Sequence, residues 1–107
     1  MRVLLYENMD RRLKPYFAPD FVVVTVKERG WAGKTNGELL RAAEREFDAL
    51  VTMDRSIEHQ QELARLRLGI VLVTARSNRR QDVEPAMPAV NEALREVGPG
   101  TLLRIPG

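Results

Sequence analysis

Asp54 closes the run Leu50-Val51-Thr52-Met53-Asp54, directly after a short apolar, strand-like stretch. A carboxylate at the end of a buried strand can face the crevice there and bind a hard cation such as Mg²⁺ through oxygen. An aspartate before a helix also serves as an N-cap, accepting a backbone N–H, and position alone leaves both roles open. Glu38 poses the same choice. The spacing in Thr35-Asn36-Gly37-Glu38 makes a capping box in which Thr35 and Glu38 each accept the other's backbone N–H. The functional reading instead aims Glu38 at the crevice of Asp54. Glu7 and Asn8 follow the first apolar run, where polar residues are common helix entries. Because neighbouring strand residues point to opposite faces, Tyr6 and Glu7 are not expected to share a role. Gln60, Gln61, Asn78 and Arg79 form a polar set able to orient a phosphate, or simply to meet solvent. His59 is the only histidine and there is no cysteine, so a zinc set of His and Cys is excluded and His59 reads as surface. Gly-rich phosphate loops, nucleophile elbows and dinucleotide fingerprints are absent.

The elements that must position these residues alternate between short β-branched runs and longer helical stretches. Val3–Tyr6, Phe21–Val26, Ala49–Thr52, Ile70–Val73 and Thr101–Ile105 read as strands, the second with the strongest signal. Helices are expected over Met9–Phe17, over residues 36–47 with Leu39, Leu40, Ala43 and Phe47 on one face, over Ile57–Leu66 and over Val83–Val97. Pro85 suits a first turn, and Pro88 lies deep enough to shift that helix's start. Strands separated by helices of this length predict a three-layer α/β fold: a mostly parallel central sheet of about five strands with helices on both faces. Ligands of such sheets bind outside the carboxyl ends of the strands, where the strand order reverses. That rule points to Tyr6–Asn8, Asp54–Arg55 and Arg76–Arg80.

The 107 residues suit a single domain, 1–107, with enough chain to bury a core without disulfide or metal staples. The absence of cysteine fits a reducing compartment, and the first apolar run is too short for a signal peptide or a membrane span, so the expectation is cytoplasmic. A net charge of +2, from 17 basic and 15 acidic residues, does not by itself announce a nucleic-acid binder. Most of the basic residues are arginine, whose planar fork suits phosphate.

Taken in order, the segments Leu4-Leu5-Tyr6-Glu7-Asn8, Lys27-Glu28-Arg29-Gly30-Trp31-Ala32-Gly33, Asn36-Gly37-Glu38-Leu39-Leu40, Leu50-Val51-Thr52-Met53-Asp54, Gln60-Gln61 and Ser77-Asn78-Arg79 resemble a bacterial family of small PIN-like proteins. The resemblance covers nearly the whole chain, and its specificity lies in the ordered series. PIN domains are parallel-sheet proteins, many of them Mg²⁺- or Mn²⁺-dependent ribonucleases that act as toxins silenced by an adjacent antitoxin. The resemblance implies Glu38 and Asp54 as catalytic, metal-holding carboxylates, with Glu7 as a further metal ligand. It implies Asn8, Gln61, Asn78 and Arg79 as substrate-facing, RNA as substrate, a cognate antitoxin as partner and a homodimer as the assembly. One departure stands out: the family reads Leu-Leu-Asp-Glu-Asn at the end of the first strand, and Tyr6 replaces that aspartate here. A phenol, neutral at pH 7 with an ordinary pKa of ~10, is a poor Mg²⁺ ligand. The alternative is therefore a non-catalytic PIN-like module that grips RNA or a protein. A phosphoacceptor receiver-like regulator would also use acids at a sheet edge, but the lysine it needs near the last strand is missing.

Overall fold

A computed structural model describes residues 1–60 and 62–106. Five parallel strands form one sheet: β1 (Arg2–Leu5), β2 (Val22–Thr25), β3 (Ala49–Thr52), β4 (Gly69–Thr74) and β5 (Leu102–Pro106), in the order β2-β1-β3-β4-β5. The expected three-layer architecture is present, and the sheet is wholly parallel.

Side-chain alternation divides the core into two halves. Leu4, Leu50, Ile70 and Leu72 point to one face and pack under α1 (Asn36–Ala43) through Leu39, Leu40 and Ala43, together with Phe47 and Ile57. Val3, Leu5, Ala49, Val51, Val71 and Val73 point to the other. There they meet Val83 of α2 (Arg80–Val83) and Met87, Val90, Ala93 and Leu94 of α3 (Met87–Glu96). Leu13 and Phe17, from the 3₁₀ turn Arg11–Tyr16 and its end, complete that layer.

All four expected helices take different forms. Met9–Phe17 is a 3₁₀ turn over Arg11–Tyr16 and not an α-helix, with Pro15 inside it, whose missing N–H and ring oppose a continuous α-helix. Ile57–Leu66 was expected to be one helix, but it comprises 3₁₀ turns at Arg55–His59 and Leu63–Arg65, parted by extended backbone at Gln60. Its apolar residues explain this. Ile57, Leu63 and Leu66 do not recur at helical spacing from Ile57, where a helix would need apolar side chains near positions 60 and 61; both are glutamine. A short helix without a buried stripe is marginal. The helix over 36–47 stops at Ala43 and turns through 44–46, so that Phe47 enters the core from a turn, its N–H on the Ala43 carbonyl at 2.8 Å. At the C-terminal side, helical structure begins earlier than Val83, at Arg80, and is re-started at Met87 with Pro88 in the first turn of α3.

The connections decide where the carboxyl edge opens. The chain leaves β1 toward the α3 face, and leaves β3 toward the α1 face. It leaves β4 toward the α3 face again. Since β3→β4 and β4→β5 step in the same direction on opposite faces, these two crossovers have opposite hands, a rare departure from the usual uniformity. The crevice at the end of β1 and β3 is thus flanked by loops that part to either side.

The turn before β5 depends on Gly100, with φ of 74°. A Cβ there would sit 2.5 Å from the Ala64 carbonyl oxygen. Gly100→Ala therefore combines left-handed strain with a backbone overlap and should cost about 2–3 kcal/mol. Urea unfolding measures it; an unchanged midpoint would show that the turn relaxes freely.

Candidate functional site

Two polar groups occupy the carboxyl edge, one on each side of the sheet. On the α1 side, Asp54 lies two residues past β3 and caps the 3₁₀ turn that follows: its Oδ1 accepts the Ser56 N–H at 3.0 Å and the Ser56 hydroxyl at 2.7 Å. Asn36, the first residue of α1, donates from Nδ2 to Ser56 Oγ (3.0 Å) and to Asp54 Oδ2 (3.3 Å). The Tyr6 hydroxyl donates to Asn36 Oδ1 at 3.4 Å, a long contact. Below them the buried Thr52 hydroxyl accepts the Asp54 N–H at 3.0 Å. A chain of hydrogen bonds therefore runs from the end of β1 through the start of α1 to the end of β3.

This chain sets the charge state of the edge. Hydrogen bonds from Ser56 and then Asn36 hold the Asp54 carboxyl below its ordinary value, against the opposing effect of partial burial. Burial, followed by the charges of Asp54 and Glu7, raises the Tyr6 phenol above its ordinary value of 10.0. At neutral pH this network thus sets the ionised Asp54 carboxylate beside a neutral phenol.

On the α3 side, Glu7, Asn8, Asp10 and Arg12 face Asn78, Arg79 and Arg80 across an open cleft of about 490 Å³. The Asn78 amide donates to the Asn8 carbonyl at 3.2 Å and ties the two loops together. Ser77 sets the second loop, with its hydroxyl accepting the Arg79 N–H at 3.1 Å and donating to Asp82. Arg12 is engaged by Asp10 (2.7 Å) and Arg80 by Glu84 (3.1 Å), while Arg79 has no carboxylate partner among the described residues. Asn8 Oδ1 is buried and lacks a hydrogen-bond partner among the described groups.

The residues singled out from sequence therefore fall into separate places. Glu7, Asn8, Asn78 and Arg79 share the α3-side cleft. Asp54 stands on the other side with Asn36, Ser56 and Tyr6. Glu38 completes the capping box, its Oε1 accepting from the Thr35 N–H (3.2 Å) and hydroxyl (2.8 Å). These bonds lower its carboxyl, an effect local to the helix start. Gln61 lies outside the described residues. Among the described residues no three His, Asp or Glu side chains come together, so Glu7, Glu38 and Asp54 as placed do not fit one Mg²⁺ or Mn²⁺ cage. Ser56 was missed by the sequence reading, although its position two residues after an N-capping aspartate is the available signal.

No family model, curated protein or solved structure matches the chain. Among the described residues no helix is long and apolar enough to cross a membrane.

Several carboxylates at or near this edge are stabilised in the ionised form. Asp10 is held at about 2 by hydrogen bonds from Arg12, and Glu28 at about 2 by Lys14 and Thr25. Asp54 and Glu38 are shifted the same way. A folded-state value below the unfolded one means the folded state binds fewer protons, so the stabilisation is present above the ordinary carboxylate range and is lost on acidification. The thermal midpoint should fall between pH 4.5, the ordinary glutamate value, and pH 2. A midpoint constant across that window would contradict these shifts.

Proposed function

We propose that this chain is a PIN-like module that holds RNA along the carboxyl edge of its sheet and has lost the metal chemistry its resemblance implies. The observation that carries the proposal is Tyr6. It stands where the resembling family has an aspartate, and its neutral hydroxyl bonds to Asn36 within the Asp54 network. Neutral donors and acceptors at Asn36, Ser56 and Tyr6, with Arg79 across the sheet carrying no carboxylate partner among the described residues, suit a polar, phosphate-bearing strand.

A second reading keeps the ribonuclease: a Mg²⁺- or Mn²⁺-dependent toxin component, dimeric and silenced by a cognate antitoxin. It is favoured by the ionised, partly exposed Asp54 at the end of the central strand. A divalent ion there would polarise a phosphoryl oxygen and neutralise its charge. The scattered positions of Glu7, Glu38 and Asp54 count against it.

Binding of a labelled RNA, followed by fluorescence anisotropy across a salt series, tests the first reading. Arg79→Ala should weaken binding about tenfold for every sequence and lower the salt slope by about one. Failure of the native protein to bind RNA, or an Arg79→Ala variant that binds as well as the native protein, would remove the proposal.

A further inference from the structure

Beside the Asp54 network, a pocket of about 350 Å³ opens between α1 and the chain after the Arg55–His59 turn. Resting on the RNA reading above, we propose that this pocket receives one unpaired nucleobase of the bound strand. Its apolar wall is formed by Leu40 of α1 together with the half-buried Leu63 and Leu66. At its rim stand two planar side chains, the Arg41 guanidinium and the His59 imidazole, both exposed. Guanidinium and imidazole planes of this kind are surfaces on which proteins stack single-stranded bases, and the apolar wall behind them excludes water from a seated base. The volume lies near the lower bound of small-ligand sites, which suits a base with part of its sugar and not a peptide helix.

Placement ties the pocket to the edge. Gly37 at its lip directly follows Asn36, and His59 lies one 3₁₀ turn beyond Ser56. A base seated here leaves its sugar and phosphate toward the Asn36 amide and the Ser56 hydroxyl, which bond to each other at 3.0 Å. The lining also holds the Gln60 amide, which can donate or accept and so does not discriminate, and the Glu62 carboxylate, which only accepts. A carboxylate accepts from an exocyclic amine, as on cytosine N4, and meets only carbonyl oxygen at the matching position of uracil. The pocket therefore prefers amino-bearing bases.

The test compares three single-stranded ligands of equal length on the full chain: oligocytidylate, oligouridylate and the same backbone without bases. Native protein should bind oligocytidylate at least about tenfold more tightly than the abasic backbone, with oligouridylate between them. Leu63→Lys, which fills the pocket, should reduce that preference to about twofold. His59→Ala, at an exposed position that should leave folding intact, should reduce it about threefold. Arg79→Ala should weaken all three ligands together and leave the preference unchanged. Equal binding of the abasic backbone by native protein, or a preference that survives both pocket variants, overturns the base pocket while the RNA reading stands. Absence of RNA binding by native protein overturns both.

Discussion

Leu50→Ala is expected to lower the free energy of unfolding by about 3–4 kcal/mol. Leu50 lies on β3, the middle strand of the sheet, in register with Leu4 on one side and Ile70 on the other. It is fully buried under α1, among Leu39, Leu40, Leu68 and Leu72. Truncation removes its transfer free energy and leaves a cavity that neighbours on two adjacent strands cannot close without breaking register. For a domain of this size the loss is a large share of a total of about 5–15 kcal/mol. Val22→Ala is the matched control: Val22 lies on the edge strand β2 and is 53% exposed, so about 0.5 kcal/mol or less is expected. Urea denaturation reads both. Equal midpoint shifts for the two variants would contradict the two-layer packing about β3.

Tyr6→Asp should have the largest effect on chemistry. It places a second carboxylate beside Asp54, at the end of β1, where the phenol now hydrogen-bonds to Asn36. Two close carboxylates repel, so one of the pair titrates upward and the metal-free variant should lose about 1–2 kcal/mol. A divalent cation relieves that repulsion and gains a second anionic ligand. Calorimetry should show Mn²⁺ and Mg²⁺ binding to Tyr6→Asp at least about tenfold tighter than to the native protein, with stability restored by the metal. Sub-millimolar binding by native protein would show that the remaining carboxylates suffice, and would favour the ribonuclease reading.

The sheet was legible because its strands are short runs of Val, Leu and Ile bounded by polar turns, with β1, β3 and β4 buried on both faces. Their parallel pairing followed from the length of the segments between them. The segment after Asp54 was misread because a local feature, a strong N-cap followed by helix-forming residues, outweighed the spacing of Ile57, Leu63 and Leu66. At the site, Asp54 and the Asn78–Arg79 pair were identifiable from their position after buried strands. Their division between the two sides of the sheet was not, since it depends on which face each loop takes after leaving its strand. Capping was one of the two readings left open for Asp54 and for Glu38, and both residues cap. The link from Tyr6 through Asn36 to Ser56 joins three distant parts of the chain, and no local pattern signals it.

The most direct measurement incubates native protein with labelled RNA, with and without Mn²⁺, and reads both the bound fraction and the length of the RNA recovered. The expected result is RNA that is bound yet intact, with the same affinity in either condition. Shortening of the RNA that requires Mn²⁺ and disappears in Asp54→Asn would contradict a binding module and establish a working nuclease.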